Sequence, residues 1–544
     1  MQIINPQSTD FEQVRREFEW DIPHRFNMAW GVCDKHRGLD SSPALLYERL
    51  DGTLQTYTFG ELRSLSNRLA NGLKAVGITR GDRVGIILPQ RVETGVAHIA
   101  IHKTGAISLP LSILFGPEAI EYRLQDSGAK AVITLDRHVQ MIQDMKHQLP
   151  LLETVISCDG EGGDKEFWSL IGQGADSFAC TDTLCDDPAL LIYTSGTTGP
   201  PKGALVAHRS LIGNLTGFEM SQNFFPGGED VFWTPADWAW TGGLLDGLLP
   251  TWFYGRPIVA FESGRFDPER ACEVMARYGV TNAFIPPTAL KMIRQVPDIG
   301  RYDFRLRGVM SAGEAMGAEL YEWGREVLGV EINEMWGQTE FNYLVGNCSA
   351  IMPVRPGSMG KPYPGHEVAA IDETGNPVPR GQQGELAART GDPVMFLGYW
   401  NNAAATEEKI INGWFRTGDV GYRDEDGYIW FLGRKDDVIS TAGHRVGPGE
   451  IEDSLLRHPA VAQAAVIGSP DELRGSIIKA FIVLAEGHTG SEDLKKEIQV
   501  SVKNRLAAHE YPRAIEFIDE MPMTTTGKVR RMDLRKMEPG SDQD

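Results

Sequence analysis

One short segment combines the residue types that can hold a polyanion. Tyr193–Gly203, YTSGTTGPPKG, has three glycines, five hydroxyl side chains and one lysine, and it follows the apolar run Ala189–Ile192. Glycine lets backbone N–H groups approach a ligand closely, and Ser and Thr hydroxyls add further donors. The segment is not a Walker A loop, because Lys202 is followed by Gly203 and a second apolar stretch. Taken alone it also fits an ordinary surface turn. The phosphate-binding candidates are Thr194, Ser195, Gly196, Thr197, Thr198, Gly199 and Lys202.

Further segments that carry acidic, basic and glycine residues follow at intervals along the chain. Each of them alone also fits a turn, a helix cap or a solvated side chain. Turns, caps and solvated side chains do not explain why all these segments occur together and in this order. The segments are SAGEAM (311–316), NEMWGQTE (333–340), RTGD (416–419), GRKDD (433–437), TAGHRVGPGEIE (441–452) and TTTGKVRR (524–531).

The complete set resembles the signatures of the adenylate-forming superfamily, which includes acyl-CoA synthetases, luciferases and peptide-synthetase adenylation domains. The resemblance implies an enzyme that uses ATP, Mg²⁺ and coenzyme A. It implies that Thr339 holds the α-phosphate and that Glu340 is the Mg²⁺ carboxylate, a suitable hard ligand. It implies that Lys528 is the catalytic lysine. Nucleotide contacts are implied for Ala312, Gly313, Glu314, Ala315, Glu334, Met335, Trp336, Gly337 and Gln338.

The same resemblance assigns roles toward the C-terminus. Asp419 is suited to bind both ribose hydroxyls, Arg434 is expected near the ribose, and Arg445 is expected to pair with phosphate. Asp436 stands at the hinge position, about which a small C-terminal domain would swing between the two half-reactions. The loop beside the nucleotide and pantetheine is expected to include Ala442, Gly443 and His444.

The acyl pocket is expected along TPADWAWTGGLLDGLL (234–249). Gly337 stands where acetyl-CoA synthetases have a tryptophan that floors a shallow pocket, and WGQTE resembles the YGQTE of medium-chain and aromatic acyl-CoA synthetases. We therefore expect an acid longer than acetate, since each buried CH₂ contributes about 0.8 kcal/mol. Short branched, aryl and medium-chain acids all stay open. The substrate-lining candidates are Trp238, Trp240, Thr241, Gly243, Ala312 and Gly337.

These assignments predict an acid–thiol ligase that converts the acid to acyl-CoA through acyl-AMP, releasing pyrophosphate and AMP. The alternative is an adenylating enzyme that loads a carrier protein. The absence of a carrier domain after Lys528 favours coenzyme A.

The charge balance and the cysteines limit the cellular context. With 53 Lys and Arg against 74 Asp and Glu, the net charge of −21 argues against a nucleic-acid partner. The six cysteines form no CxxC pair or zinc-type cluster. No signal peptide and no membrane span is expected, so the sequence predicts a cytoplasmic protein, with a homo-oligomer left open.

Strand and helix signals alternate through the first part of the chain. RVGIILP, AKAVITLD and VTNAFIPP read as buried strands, while VETGVAHIAIHKTGA and DPERACEVMARYG have helical spacing. This alternation predicts an α/β fold with parallel sheets covered by helices, and Gly357–Tyr399 suggests a small β subdomain. We expect an N-terminal adenylation domain over 1–433, a hinge at 434–437 and a mobile α+β lid domain over 438–544.

Overall fold

The computed structural model describes residues 2–160, 162–194, 200–262, 266–314, 316–437, 439–441, 444–471, 475–506, 511–524 and 529–538. The chain divides into two compact units. Unit 1 comprises Met1–Glu367 and Arg389–Ile410, and unit 2 comprises Val368–Ala388 and Ile411–Asp544. The predicted hinge at 434–437 therefore lies inside unit 2, and its role as a hinge stays a prediction.

Strands form most of the framework of both units. They are β1 Pro43–Glu48, β2 Leu54–Thr58, β3 Arg83–Ile87, β4 Ile107–Pro110, β5 Ala131–Thr134, β6 Thr154–Ser157, β7 Lys165–Glu166, β8 Pro188–Thr194, β9 Lys202–Ala207, β10 Phe232–Trp233, β11 Ile258–Phe261, β12 Asn282–Phe284, β13 Gly308–Ala312, β14 Ile332–Gln338, β15 Phe341–Gly346, β16 Ser358–Pro362, β17 Val368–Ile371, β18 Gly384–Arg389, β19 Gly398–Tyr399, β20 Ile410–Ile411, β21 Trp414–Arg423, β22 Ile429–Arg434, β23 Ile439–Thr441, β24 His444–Val446, β25 Val461–Asp471, β26 Gly475–Leu484 and β27 Ala514–Phe517.

Helices lie between these strands. They are α1 Phe11–Glu17, α2 Met28–Val32, α3 Phe59–Ala75, α4 Val92–Thr104, α5 Pro117–Ser127, α6 Asp136–Met145, α7 Phe167–Gln173, α8 Ser210–Gly213, α9 Leu215–Ser221, α10 Thr241–Gly243, α11 Leu249–Phe253, α12 Pro268–Arg277, α13 Pro287–Ile293, α14 Ala318–Trp323, α15 Ala403–Glu407, α16 Pro448–Leu456, α17 Glu492–Arg505 and α18 Arg531–Lys536. Short 3₁₀ helices span Asp34–Leu39, Lys146–Gln148 and Ile299–Arg301, and π-helical turns span Leu244–Leu248 and Gly324–Leu328.

Unit 1 contains two large sheets that are mainly parallel. The first has the order β16-β15-β14-β13-β12-β10-β11-β1-β2, with parallel pairing from β14 through β1. The second has the order β19-β9-β8-β4-β3-β5-β6-β7 and is parallel from β8 through β7. The strands are apolar runs that flanking helices bury. Such runs favour parallel pairing, because parallel sheets are covered on both faces. The predicted α/β fold with helix-covered parallel sheets is confirmed.

Local sequence accounts for the helices that cover these strands. Thr58 caps α3 in a capping box with Glu61, whose carboxylate accepts from the Thr58 backbone N–H at 2.8 Å. Helix α4, which carries the spacing noted in the sequence, is buried along its whole length. A helix buried on all sides belongs to the interior of a large domain.

Unit 2 is built from smaller sheets. Strands β17, β18, β21 and β22 are neighbours in that order, and β23 pairs with β24. Strand β26 pairs antiparallel with β25 and parallel with β27. The helices α16 and α17 contribute Ile451, Leu455, Ile498 and Val502 to the core formed with these strands. The predicted α+β module is confirmed.

Candidate active site

A β-hairpin presents the ends of the proposed phosphate-binding segment. Strands β8 and β9 pair antiparallel with Thr194 opposite Lys202, and the Thr194 hydroxyl donates to the Lys202 carbonyl at 3.4 Å. The buried run Ala189–Ile192 anchors β8 in the second sheet. The hairpin therefore holds both ends of the loop at one sheet edge. Ser195, Gly196, Thr197, Thr198 and Gly199 lie outside the described residues.

A neighbouring turn carries the two residues predicted for phosphate and metal. Strands β14 and β15 pair antiparallel with Gln338 opposite Phe341, which makes Thr339 and Glu340 the turn residues. The Phe396 backbone N–H donates to the Glu340 carbonyl at 3.0 Å. On the other side, the hydroxyl oxygens of Thr339 and Thr241 lie 3.5 Å apart. The turn thus joins the predicted metal carboxylate to the predicted acyl segment.

Tyr399 links this turn to the hairpin. Its hydroxyl donates to Glu340 Oε1 at 2.5 Å, and its ring centroid lies 5.3 Å from Lys202 Nζ. Tyr399 could not be predicted from the sequence, because an aromatic residue in FLGYWNN has no local pattern that separates it from a core tyrosine. Only the pairing of β19 with β9 reveals its position.

The two segments with implied nucleotide contacts, SAGEAM and NEMWGQTE, lie at the carboxyl ends of the neighbouring parallel strands β13 and β14. In the register of β13 and β14, Ala312 is opposite Met335. Gly313 follows with φ of +95°, a conformation that favours glycine. The Glu314 carboxylate accepts from the Thr288 hydroxyl at 2.8 Å. Ligands of α/β sheets bind beyond the carboxyl ends of strands, which is where this group lies.

Burial and position differ among the other residues of these two segments. Glu334 and Met335 are buried, Trp336 and Gln338 are half-buried, and Ala315 lies outside the described residues.

The predicted acyl segment divides into core and site-facing residues. Trp238 is fully buried, whereas Trp240 and Thr241 are half-buried. The Trp240 ring makes an edge-to-face contact with Phe115, with centroids 5.6 Å apart. Gly243 follows where a Cβ would collide with the Asp237 carbonyl. Thr241 is therefore the member of this segment that contacts Thr339, and Trp240 directly precedes it in the chain.

This segment carries two carboxyl groups, the half-buried Asp237 and the buried Asp246. Burial raises the pKa of Asp237, which accepts from Ser112 Oγ at 2.9 Å. Burial also raises the pKa of Asp246 well above its usual value, and Asp246 accepts from the Asn342 side-chain amide. Asp246 lies in the π-helical turn Leu244–Leu248, so it ties the acyl segment to β15.

Gly337 is held by the backbone of its own hairpin. A Cβ added here would lie 2.9 Å from Tyr343 N and 3.0 Å from Phe341 O. These are backbone atoms, which cannot swing away as a flexible side chain would. The absence of a side chain at Gly337 is thus already explained by the packing of β14 against β15. It does not by itself indicate a deep acyl pocket.

A second cluster lies within unit 2. Asp419 and Arg434 are opposite each other in β21 and β22 and form an ion pair at 2.9 Å, with the Asp419 side chain only 5% exposed. The Glu385 carboxylate accepts from Arg416, from Lys435 and from the Gly418 backbone N–H at 2.8–3.2 Å. The RTGD segment and the start of GRKDD are therefore held together by charge-assisted bonds.

The remaining C-terminal candidates are only partly described. Asp436 is exposed, and its carbonyl accepts from Arg535 at 2.9 Å. His444 and Arg445 lie in β24, opposite Thr441 and Ser440. Ala442, Gly443 and Lys528 lie outside the described residues.

The donor set around Glu340 fits Mg²⁺. Mg²⁺ sites in nucleotide enzymes use one or two carboxylates, with substrate phosphates and waters as the remaining oxygen ligands. Glu340 supplies one carboxylate beside the Thr339 hydroxyl. Across the part of the chain that the structure describes, no group of three or more His, Cys, Asp or Glu side chains could hold a metal. In the same residues no helix is long and apolar enough to cross a membrane.

Comparison with known proteins identifies relatives along nearly the whole chain. The family model described as AMP-binding enzyme matches residues 37–400, and that of the AMP-binding enzyme C-terminal domain matches residues 450–528. Mouse mitochondrial acyl-coenzyme A synthetase ACSM3 is 36% identical over 97% of this chain and 93% of its own. Acetyl-coenzyme A synthetase of Bacillus subtilis (strain 168) is 38% identical over 97% and 95%.

A solved structure extends the comparison to three dimensions. The anthranilate CoA ligase AuaEII in complex with anthranoyl-AMP superposes with a TM-score of 0.86 at 31% identity, covering 95% of this chain and 98% of that one.

Proposed function

This chain belongs to the family of AMP-binding enzymes, and we propose that it activates a carboxylic acid longer than acetate. It is an ATP-dependent acid–CoA ligase that works through an acyl-AMP. The carboxylate attacks the α-phosphorus of ATP and pyrophosphate leaves. The coenzyme A thiol then attacks the acyl carbonyl, and AMP leaves.

One observation carries the residue assignment. Contacts run without a break from Lys202 through Tyr399 to Glu340, and from Thr339 to Thr241. The line starts at a hairpin suited to phosphates and ends at the segment beside Trp240. This series of contacts therefore has the spatial order of groups that an adenylating site needs, from the groups for the leaving phosphates to the group beside the acid.

The first half-reaction must bring two anions together. We propose that Lys528 bridges the carboxylate and the α-phosphate as a point charge, while Thr339 orients that phosphate. Lys202 and the hairpin loop would stabilise the departing pyrophosphate. Mg²⁺ bound through Glu340 would neutralise phosphate charge. Such transfers depend mainly on positioning and electrostatic stabilisation.

The second half-reaction needs room for the thiol where Lys528 acted. We propose that the C-terminal residues rotate about Asp436, which removes Lys528 and brings the loop of Ala442 to Arg445 to the pantetheine. Asp419 would hold the ribose hydroxyls, with Arg434 as its partner. The ion pair between the buried Asp419 and the half-buried Arg434 supports this assignment, because a carboxylate fixed by a cation is pre-oriented to accept from hydroxyls.

We propose that Phe115 and Trp240 form an apolar wall of the acyl pocket next to Thr241. Their rings make an edge-to-face contact, and both residues are half-buried. A chain of several carbons or an aryl ring would gain from contact with them, at about 0.8 kcal/mol per buried CH₂. Branched short, medium-chain and aryl acids are all compatible with this wall. The anthranilate ligase shows that a protein of this fold takes an aryl acid.

A cytoplasmic location is proposed as well. All six cysteines are free, as expected for a reduced compartment. The oligomeric state is to be measured with the activity, by light scattering of the active enzyme.

The test is pyrophosphate release from Mg²⁺ATP with acids from C2 to C12, branched acids and aryl acids, each with and without coenzyme A. We expect turnover that depends on coenzyme A and peaks above C3. A maximum at acetate would refute the proposed acid. Adenylation that coenzyme A cannot discharge would instead indicate a carrier-protein acceptor.

A further inference from the structure

Tyr399 contacts both charged groups that the proposed site uses for phosphates and metal. Its hydroxyl donates to Glu340 Oε1 at 2.5 Å, and its ring centroid lies 5.3 Å from Lys202 Nζ. The side chain is 8% exposed. Because one side chain contacts both Glu340 and Lys202, the position of Tyr399 relates the positions of these two groups.

The backbone of Tyr399 is fixed to the strand that carries Lys202. Tyr399 pairs with Ala204 in the antiparallel β19–β9 ladder. On either side of it, the Leu397 N–H donates to the Leu205 carbonyl and the Trp400 N–H to the Gly203 carbonyl, both at 2.7 Å. The hydroxyl therefore starts from a backbone that moves with the hairpin.

The same segment also grips the turn of Glu340 directly. Phe396, shortly before Tyr399, donates its backbone N–H to the Glu340 carbonyl at 3.0 Å. The Tyr399 N–H in turn donates to Thr406 Oγ1 at 2.9 Å, which holds the end of β19. The short segment 396–399 thus donates to both the main-chain carbonyl and the carboxylate of Glu340.

We infer that Tyr399 is a positioning residue that fixes the Glu340 carboxylate for a divalent cation and sets its distance from Lys202. The inference rests on the proposed role of Glu340. A hydroxyl that donates to one carboxylate oxygen leaves the other oxygen available to the metal and removes the freedom of the side chain to rotate. Outer partners of this kind orient metal ligands, and their loss typically weakens metal binding or activity about 10- to 100-fold.

Tyr399→Phe isolates the hydroxyl, because the ring that faces Lys202 remains. Isothermal titration with ATP, first without metal and then with Mg²⁺, separates nucleotide binding from metal binding without any turnover. We expect the Mg²⁺ dependence to weaken about 10- to 100-fold, and metal-free ATP binding to stay within about twofold. The Mg²⁺ concentration for half-maximal adenylation should rise in parallel. Tyr399→Leu also removes the ring, and it should weaken metal-free ATP binding as well.

Tyr278→Phe is the matched control. Tyr278 also donates its hydroxyl to a buried carboxylate, that of Glu48, at a place remote in sequence from every segment of the site. It should leave both binding constants unchanged. An equal Mg²⁺ dependence in Tyr399→Phe and wild type would overturn the inference.

A double-mutant cycle tests directly whether Tyr399 acts through Glu340. Glu340→Gln alone should weaken Mg²⁺ binding, and adding Tyr399→Phe should then cost little more, because both substitutions remove the same function. Additive losses would contradict the inference. Wild-type enzyme without acid-dependent adenylation would instead refute the proposed function, so the two failures are distinguishable.

Discussion

Adding a single methyl group at Gly337 tests whether the turn of Thr339 and Glu340, proposed to be catalytic, is held by close backbone packing. In Gly337→Ala the new Cβ would lie 2.9 Å from Tyr343 N, 3.0 Å from Phe341 O and 3.2 Å from Asn342 C. Ordinary carbon contacts begin near 3.5 Å. All three atoms belong to the main chain of β15, so the hairpin itself has to open by about half an ångström.

The cost follows from the location of these atoms. Inserting a methyl group into a packed site typically costs about 1–3 kcal/mol. The displacement acts between residues 337 and 341–343, and the turn between them carries Thr339 and Glu340. A shift of about 1 Å in a positioning group can lower a rate about 100-fold. We therefore expect a loss of about 10- to 100-fold in kcat for acyl-AMP formation, equal for all acids.

The assay is acid-dependent exchange of pyrophosphate into ATP, with acids from C2 to C8, together with urea unfolding. Gly172→Ala is the control, because Gly172 lies in α7 and a Cβ added there would meet no atom within 4 Å. Alanine should stabilise that helix by up to about 1 kcal/mol without changing exchange. If Gly337→Ala exchanges at the wild-type rate and Gly337→Trp moves preference toward acetate, the hairpin yields freely. In that case residue 337 is the pocket floor after all.

Other predictions concern Lys528, the proposed catalytic lysine, and two buried carboxyl groups. Lys528→Ala should nearly abolish acyl-AMP formation but spare thioester formation from supplied acyl-AMP, and equal losses would contradict a two-conformation mechanism. Burial raises the pKa of Glu219 to about 7, although it accepts from Tyr254 and from two backbone N–H groups. The folded state then binds more protons than the unfolded state between pH 4.5 and 7, so stability should fall as pH rises through that window. Glu219→Gln should abolish up to about 3 kcal/mol of this pH dependence of unfolding; parallel pH profiles would show that folding leaves the pKa of Glu219 unchanged. Asp246, raised in pKa by burial, should tolerate Asn within about 1 kcal/mol. Asp246→Leu, which strands the Asn342 amide, should cost about 1–3 kcal/mol in urea unfolding, and equal losses would mean that Asp246 is charged.

Apolar periodicity predicted most of the elements in the body of the chain. RVGIILP became β3, AKAVITLD became β5, and DPERACEVMARYG became α12. These segments are buried on both faces or amphipathic, so local pattern and tertiary environment agree. The Gly357–Tyr399 stretch was less predictable. Its short strands fall partly in unit 1 and partly in unit 2, since pairing partners rather than composition decide where a short strand belongs.

The sequence resemblance proposed Thr339 and Glu340 for the site, and the structure places both in the turn between β14 and β15. Their roles stay predictions. Tyr399 and the Asp246–Asn342 pair could not be found in the same way. Their partners are distant along the chain, and an isolated tyrosine or aspartate has many structural uses. The role of Gly337 as the pocket floor stays a prediction, because close backbone packing is a sufficient reason for a glycine there.

The turn of Thr339 and Glu340 is held in place by contacts with several parts of unit 1. These contacts do not include the residues proposed to select the acid. Packing at Gly337 fixes its entry, Asn342 fixes its exit through Asp246, and Tyr399 fixes the carboxylate. Electrostatic catalysis gains most when charged groups are already oriented before the substrate arrives. The aromatic wall of Phe115 and Trp240 takes no part in these supports. On the proposed assignment the acid is selected at Phe115 and Trp240, apart from the contacts that support the turn of Thr339 and Glu340. One fold could then accept chemically different acids without rebuilding that turn.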